Sequence, residues 1–177
     1  MKTFSQIEVW AKFIVAFIAC LLVRLVPVPF RAPNVEPIMA VMMPFARYLG
    51  AGAGFIFAFF SMVFLDMVMV KVGVWTWSTA ITYGLIGAFA PVFFTYIPGI
   101  RGYVSYAILG TLVFDGVTGV FLGPLFLGQS FSSAFFGQIP FTAMHLLGNV
   151  TFAFTISPFL DRWIMKSVAP VVSIERA

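Results

Sequence analysis

The chain has 177 residues, of which 62% are apolar and only 9% are Asp, Glu, Lys or Arg. A soluble domain carries about 25% charged residues, so this composition excludes an ordinary water-soluble globule. A membrane-spanning helix takes about 20 apolar residues, so roughly five to seven spans with short turns account for the sequence and leave no soluble catalytic domain within it. The net charge is +4, but the ten lysines and arginines form no continuous basic run. We therefore attribute the positive charge to membrane topology rather than to nucleic-acid binding.

Hydropathy, with proline, glycine and charged residues as boundaries, predicts an all-α polytopic membrane protein with one transmembrane domain over residues 1–177. The six predicted helices cover about 7–26, 35–49, 51–72, 77–97, 103–127 and 136–164, and residues 165–177 form a cytoplasmic tail. The second helix is short: at about 1.5 Å per residue it reaches about 22 Å of a hydrocarbon core near 30 Å. We expect the first apolar run to be retained as a helix, because no small-residue cleavage site follows it.

An even number of spans places both termini on one side of the membrane, and the basic residues indicate which side. Lysine and arginine are enriched in cytoplasmic loops, so the side with more of them is predicted to be the cytoplasm. The side of the termini carries the larger set and the other side the smaller one: Lys2, Lys12, Arg47, Arg101, Arg162, Lys166 and Arg176, against Arg24, Arg31 and Lys71. Both termini are therefore predicted to be cytoplasmic, with the protein in the cell membrane.

Four polar residues are predicted to lie deep within spans: Asp66, Asp115, His145 and Asn149. Each such group costs a few kcal/mol in lipid unless it is paired, hydrated or faces a cavity. Counted along their helices, all four fall near the midplane or between it and the outer boundary. The pattern predicts a ligand pocket in the outer half of the bundle. The alternative is structural: Asp66 can pair with Lys71, and His145 and Asn149 can hydrogen-bond neighbouring helices.

Further candidate ligand contacts lie beside these residues, at the outer boundary. Asn34 and Glu36 stand where the second helix begins, and Trp75 and Trp77 precede or begin the fourth. Asn34 can instead cap the short helix, with Glu36 favouring its dipole. The two tryptophans can instead form part of the aromatic belt at the lipid headgroups.

Enzymatic functions are not supported by the sequence. Neither intramembrane aspartate stands in a Gly-x-Gly-Asp context, and no Gly-x-Ser-x-Gly motif precedes the single histidine. No Gly-Lys pair occurs, so a Walker A phosphate loop is absent and ATP-driven work needs another polypeptide. The lone Cys20 forms no internal disulfide, and no Cys/His cluster has metal-ligand spacing. We expect a protein that is not an enzyme and that uses no metal or cofactor.

Three stretches of the chain together resemble the substrate-binding S components of energy-coupling factor (ECF) transporters, which import vitamins in prokaryotes. They are Ala32-Pro-Asn-Val-Glu-Pro37; Gly73-Val-Trp-Thr-Trp77 with Tyr83-Gly-Leu-Ile-Gly87; and Ile139-Pro-Phe-Thr-Ala-Met-His-Leu-Leu-Gly-Asn149. In the branch that is most similar, the middle stretch has a proline where Val74 stands and a second proline between the tryptophans. The last stretch has an aspartate where Thr142 stands. These departures bear on the identity of the substrate.

The resemblance implies a six-helix bundle with a pocket that opens outward. It also implies partners, namely a transmembrane coupling subunit and two ATPase subunits. In this family the first helix docks on the coupling subunit through small residues four apart, and Ala16 and Cys20 are the nearest match here. Members similar to this branch have been linked to corrinoid uptake, which makes cobalamin one candidate substrate.

The leading hypothesis is capture of a vitamin-sized molecule from outside without covalent chemistry. The expected ligand contacts are Trp75, Trp77, Asp115, His145, Asn149, Asp66, Asn34 and Glu36. Tryptophans supply apolar area and a hydrogen-bond donor, and the polar residues orient the ligand. Two alternatives remain open. One is a self-sufficient secondary carrier that relays protons through intramembrane acids and the histidine, and the other is a membrane scaffold without a ligand.

Overall fold

A computed structural model describes residues 2–26 and 35–165 of the chain, and the described part folds as helices without strands. We number the helices α1 (Lys2–Leu25), α2 (Ile38–Leu49), α3 (Ala51–Val68), α4 (Val74–Tyr96), α5 (Gly99–Leu127) and α6 (Phe131–Met165). Helix α5 is α-helical over Gly99–Asp115, π-helical over Gly116–Leu122 and α-helical again over Gly123–Leu127.

Five of these helices are long and apolar enough to cross a membrane, and α2 is the exception. The predicted all-α, multi-pass architecture with a short second helix is therefore confirmed at this level. The helix ends differ from the prediction by up to five residues in either direction, because hydropathy detects apolar stretches whereas backbone hydrogen bonding defines where a helix begins and ends. Thus α6 begins at Phe131 instead of 136, and α2 begins at Ile38 instead of 35. Residues 166–177 of the predicted tail lie outside the described residues.

The short helix α2 forms the centre of the bundle. It contacts each of the other five helices, and all of its residues except Arg47 and Leu49 are buried. Its 12 residues span about 18 Å at 1.5 Å per residue, so about 12 Å of a 30 Å hydrocarbon core is not filled by this helix. The centre of the bundle therefore has room for a cavity at the end where α2 begins.

Glycine allows α3 and α4 to pack closely along their length. A Cβ atom added to Gly54 would lie 2.1 Å from the Gly87 carbonyl oxygen, so neither position admits a side chain. Such contacts between small residues are typical of helix packing in membranes. The preceding turn needs a glycine for a different reason: Gly50, with φ of 89°, joins α2 to α3 in a conformation that other residues rarely adopt.

The two ends of the bundle carry different polar groups. At the end with the start of α1 and the end of α6, Arg47 binds both carboxylate oxygens of Asp161 at 3.1 and 3.2 Å. The Tyr103 hydroxyl donates to the same carboxylate at 2.6 Å. This group joins α2, α5 and α6. The opposite end, where α1 and α3 finish and α4 and α6 begin, holds the polar residues considered next, and we call it the cavity end.

Candidate functional site

A partly open cavity of about 270 Å³ lies at the cavity end, beyond the start of α2. Residues from α1, α3, α4, α5 and α6 and from the segment before α2 line it. The lining residues are Arg24, Glu36, Met62, Asp66, Trp75, Thr79, Phe114, Thr118, Gly119, Gln138, Phe141 and His145. Charged, polar and aromatic side chains thus surround one space in the interior of an otherwise apolar bundle.

An ion pair between Arg24 and Glu36 forms one wall of the cavity. Arg24 lies in the last turn of α1, and Glu36 lies two residues before α2 begins. The Glu36 residue is only 4% exposed, so its charge needs a partner to be tolerated. The second guanidinium contact is the Met62 sulfur at 3.7 Å. The expectation that Glu36 lies in the first turn of α2 is wrong, because the helix begins at Ile38 with Pro37 as its N-cap.

Asp66 joins the end of α3 to the start of α4 and also lines the cavity. The Thr76 hydroxyl donates to the Asp66 carboxylate at 2.6 Å and accepts from the Gly73 backbone N–H at 3.1 Å. This arrangement satisfies an N–H at the start of α4, as a helix cap does. Lys71, the alternative partner considered from the sequence, is exposed in the turn between the helices and does not line the cavity.

Asp115 and His145 form a buried pair between α5 and α6. The Asp115 Oδ1 atom lies 2.9 Å from His145 Nδ1, and the aspartate is 1% exposed. The His145 ring packs edge-on against Phe114 and Phe141, with ring centroids 5.9 and 5.8 Å away. The two members of the pair face different spaces, since His145 lines the cavity whereas Asp115 lines a separate crevice of about 430 Å³ between α5 and α6. Asp115 is therefore placed to orient His145.

Asn149 lies one helical turn beyond His145 and is fully buried, but it does not line the cavity. Its Nδ2 atom donates to the Thr111 hydroxyl at 2.8 Å, which itself donates to the Ala107 carbonyl at 2.7 Å. The structure thus places Asn149 in a link between α6 and α5. This position agrees with the alternative that the sequence left open, and it does not agree with direct ligand contact.

The two tryptophans that the sequence paired point in different directions. Trp75 lines the cavity, with its ring edge-on to Phe126 at 6.1 Å. Trp77 lies next to Phe59, with ring centroids 6.4 Å apart, and does not line the cavity. Residues two apart on a helix are separated by about 200° around its axis, so both cannot face one pocket. The sequence predicts that both tryptophans contact the ligand, but in the structure only Trp75 of the two lines the cavity.

The remaining predicted site residues lie away from the cavity or outside the described part. Asn34 lies outside the described residues. Ala16 and Cys20 border an apolar groove of about 400 Å³ between α1 and α6. Cys20 is 2% exposed, so it faces the bundle interior and offers no surface to a docking partner in this structure.

Two polar lining residues were not among the predicted ligand contacts. Arg24 was assigned to the outer interface, where long basic side chains commonly extend toward water, and its pairing with Glu36 depends on how α1 packs. Gln138 falls in the first turn of the predicted last helix, which begins at residue 136. Its amide packs against Gly119, where an added Cβ would lie 2.0 Å from the Gln138 amide oxygen. The sequence signal that could have identified Gln138 is its polar amide directly before the Ile139-to-Asn149 motif.

The π-helical segment of α5 contributes to the shape of this site. It begins directly after Asp115 and contains Thr118 and Gly119, which both line the cavity. A π-helical turn is wider than an α-helical turn and is often found at functional sites. This segment thus contributes two residues to the cavity wall beyond the buried pair.

Comparisons with protein-family models, with curated proteins and with solved structures gave no match for this chain. Among residues 2–26 and 35–165, no three His, Cys, Asp or Glu side chains lie close enough together to hold a metal ion. The chemical options of the site are therefore argued from the cavity. It offers one ion pair, one further carboxylate, one imidazole, an amide and aromatic surface, which together suit reversible binding of a small polar molecule.

Proposed function

We propose that this protein is the substrate-binding membrane subunit of an ECF-type importer, which binds a vitamin-sized molecule outside the cell and releases it inside when docked on an ATP-driven module. The observation that carries the proposal is the polar and aromatic cavity at the end of the bundle where the short α2 begins. Binding sites of this kind are concave, with aromatic surface and a few convergent polar groups.

The expected orientation supports uptake from outside. The excess of basic residues predicts that both termini are cytoplasmic, and the cavity lies at the opposite end of the bundle, near the end of α1. With that orientation the cavity faces the external side. A small molecule then reaches it without crossing the bilayer first.

The proposed partners are a transmembrane coupling subunit and two ATPase subunits. The sequence has no Walker A motif, so the ATP hydrolysis that drives release in this proposal takes place on another polypeptide. We place the docking surface on the lipid-facing side of α1 near Ala16 and Ala19, beside the groove between α1 and α6. Cys20 is excluded from this surface by its burial.

The size of the cavity favours a substrate smaller than cobalamin. Pockets for drug-sized ligands are roughly 300 to 1,000 Å³, and the cavity formed by the described residues is about 270 Å³. A single ring system with substituents suits this volume, whereas a corrinoid would have to remain largely outside it. Cobalamin therefore becomes a less favoured candidate within the proposal.

The test is to purify the protein gently from its native membrane, denature it and identify the released small molecules by mass spectrometry. The proposal predicts one vitamin-like compound in stoichiometric amount. The same compound, added back to protein in nanodiscs, should raise the melting temperature, since a ligand at about 100 times its Kd stabilises by about 2.7 kcal/mol.

A matched pair of variants shows whether the compound occupies this cavity. Trp75→Ala should weaken binding by about ten-fold or more, because Trp75 lines the cavity. Trp77→Ala removes the same side chain two residues away and should leave the Kd unchanged. Equal effects of both variants, or an empty protein that no vitamin stabilises, would refute the proposal. Proton-driven uptake by this chain alone in liposomes would favour the secondary carrier. A protein that performs its cellular role without binding any ligand would favour the scaffold.

A further inference from the structure

Among the described residues of the cavity wall, one negative charge has no cationic partner. These residues include the acids Glu36 and Asp66 and one arginine, Arg24, which is already paired with Glu36. The hydrogen-bond partner of Asp66 is the neutral Thr76 hydroxyl. In the low dielectric of a membrane protein an unbalanced carboxylate strongly favours a nearby cation.

The neutral polar groups of the wall present acceptors to the cavity. The Thr79 hydroxyl donates to the backbone carbonyl groups of residues 75 and 76 at 3.0 and 3.1 Å. The Thr118 hydroxyl donates to the Phe114 carbonyl at 2.7 Å. A hydroxyl has one hydrogen to donate, so each of these side chains has only lone pairs left for a ligand.

In its neutral form, His145 adds one more acceptor. A carboxylate only accepts hydrogen bonds, so His145 Nδ1 donates to Asp115 at 2.9 Å. In a neutral imidazole the other ring nitrogen, Nε2, is then an acceptor. The buried aspartate thereby sets which kind of hydrogen bond the histidine offers to the cavity.

Few donors face these acceptors. Within the part of the chain that the structure describes, the side-chain donors in the lining apart from Arg24, which Glu36 engages, are the Trp75 indole N–H and the Gln138 amide. The cavity also has aromatic surface from Trp75, Phe114 and Phe141, and aromatic faces attract cations. Negative charge, an excess of acceptors and aromatic walls are complementary to a flat, positively charged ligand with several N–H groups.

We infer that the cavity selects a small ring-containing organic cation rich in N–H donors, such as a protonated amidine or aminoheterocycle. This inference rests on the proposed binding function and adds the chemical class of the substrate. The volume of about 270 Å³ fits one substituted ring. An anionic ligand of the same size would be repelled by the Asp66 carboxylate and by the hydrogen-bond acceptors of the wall, with no free cation in the described lining to offset this repulsion.

The test uses three probes of the same shape that differ in charge and in N–H groups: benzamidine, benzamide and benzoate. Their binding to the full-length protein in nanodiscs is measured by isothermal titration calorimetry. We expect benzamidine to bind at least about ten-fold more tightly than benzamide, a difference of about 1.4 kcal/mol, and benzoate to bind most weakly. Asp66→Asn keeps an acceptor for Thr76 and removes the charge, so it should reduce the preference for benzamidine by about ten-fold.

The control is Glu8→Gln, which removes an acidic charge at the other end of the bundle, where Glu8 pairs with Lys12. It should leave the preference for benzamidine unchanged. Tighter binding of benzamide or benzoate would overturn the inferred cation class and leave a ligand-binding cavity, so the proposed function would stand. Binding of none of the three at concentrations up to about 10 mM would also overturn it. If Asp66→Asn fails to fold, the comparison of the three probes on the wild-type protein still tests the inferred cation class. The compound released from the native protein tests the proposed function separately.

Discussion

Neutralising Glu36 is expected to destabilise the protein because it leaves Arg24 charged in the bundle without its partner. The side chain of Glu36 is 5% exposed and that of Arg24 is 27% exposed. Breaking a fully buried ion pair costs about 3 to 5 kcal/mol, whereas an exposed pair contributes about 0 to 1 kcal/mol. The pair lies between these limits and closer to the buried one, since one partner retains some contact with water. We therefore expect Glu36→Gln to lower the free energy of unfolding by about 2 to 3 kcal/mol.

The double variant distinguishes the lost pairing from a general effect of the substitution. Arg24→Met with Glu36→Gln removes both charges, and its cost should be about 1 kcal/mol or less, because no unpaired charge remains. Arg24→Met alone should cost at least as much as Glu36→Gln, because it leaves the more deeply buried Glu36 unpaired. The coupling energy from the double-mutant cycle should then be at least about 3 kcal/mol. The assay is equilibrium unfolding of each variant in the same mixed micelles, followed by near-ultraviolet circular dichroism. Additive effects, with a coupling energy below about 0.5 kcal/mol, would refute the ion pair as a stabilising contact.

Three further variants test the packing and the assignment of roles. Gly54→Ala should lower the free energy of unfolding by about 1 to 3 kcal/mol, because its Cβ would collide with the facing helix. Gly52→Ala, where an added Cβ meets nothing within 4 Å, is the matched control and should be neutral or slightly stabilising in thermal unfolding. Asn149→Ala should cost about 1 kcal/mol of stability and leave the Kd for the released compound unchanged; a loss of affinity without a loss of stability would show that Asn149 contacts the ligand. Asp161→Asn should weaken the contact with Arg47 and cost about 2 kcal/mol in denaturant unfolding, and a changed ligand affinity would contradict its position far from the cavity.

Much of the architecture follows from composition and from residues close together in sequence. A chain that is 62% apolar and 9% charged can bury its surface only in a membrane, so the multi-pass all-α fold was predictable. The short second helix was also predictable, because prolines, glycines and charges mark its ends in the sequence. Its consequence is geometric: a central helix of 12 residues leaves space at one end of the bundle.

The composition of the cavity wall could be predicted only in part. Depth along a helix follows from counting residues, and it correctly grouped Asp66, His145 and Glu36 near one end of the bundle, where all three line the cavity. Rotation of a helix about its axis does not follow from counting. Trp75 and Trp77 lie at the same depth, yet only Trp75 lines the cavity, because the packing of α3 against α4 decides which side of α4 faces inward.

Which polar groups form pairs was decided by the tertiary structure. Asp115 and His145 are 30 residues apart in the chain, and no local pattern states that a carboxylate on α5 meets an imidazole on α6. The same holds for Arg24. Its position near the end of an apolar run suggests a side chain that extends toward the membrane surface, and its pairing with Glu36 becomes apparent only when α1 packs beside α2. The sequence determined how deep each polar residue lies, because depth depends on rise per residue. The structure determined what each residue faces, because that depends on contacts between helices that are distant in the chain.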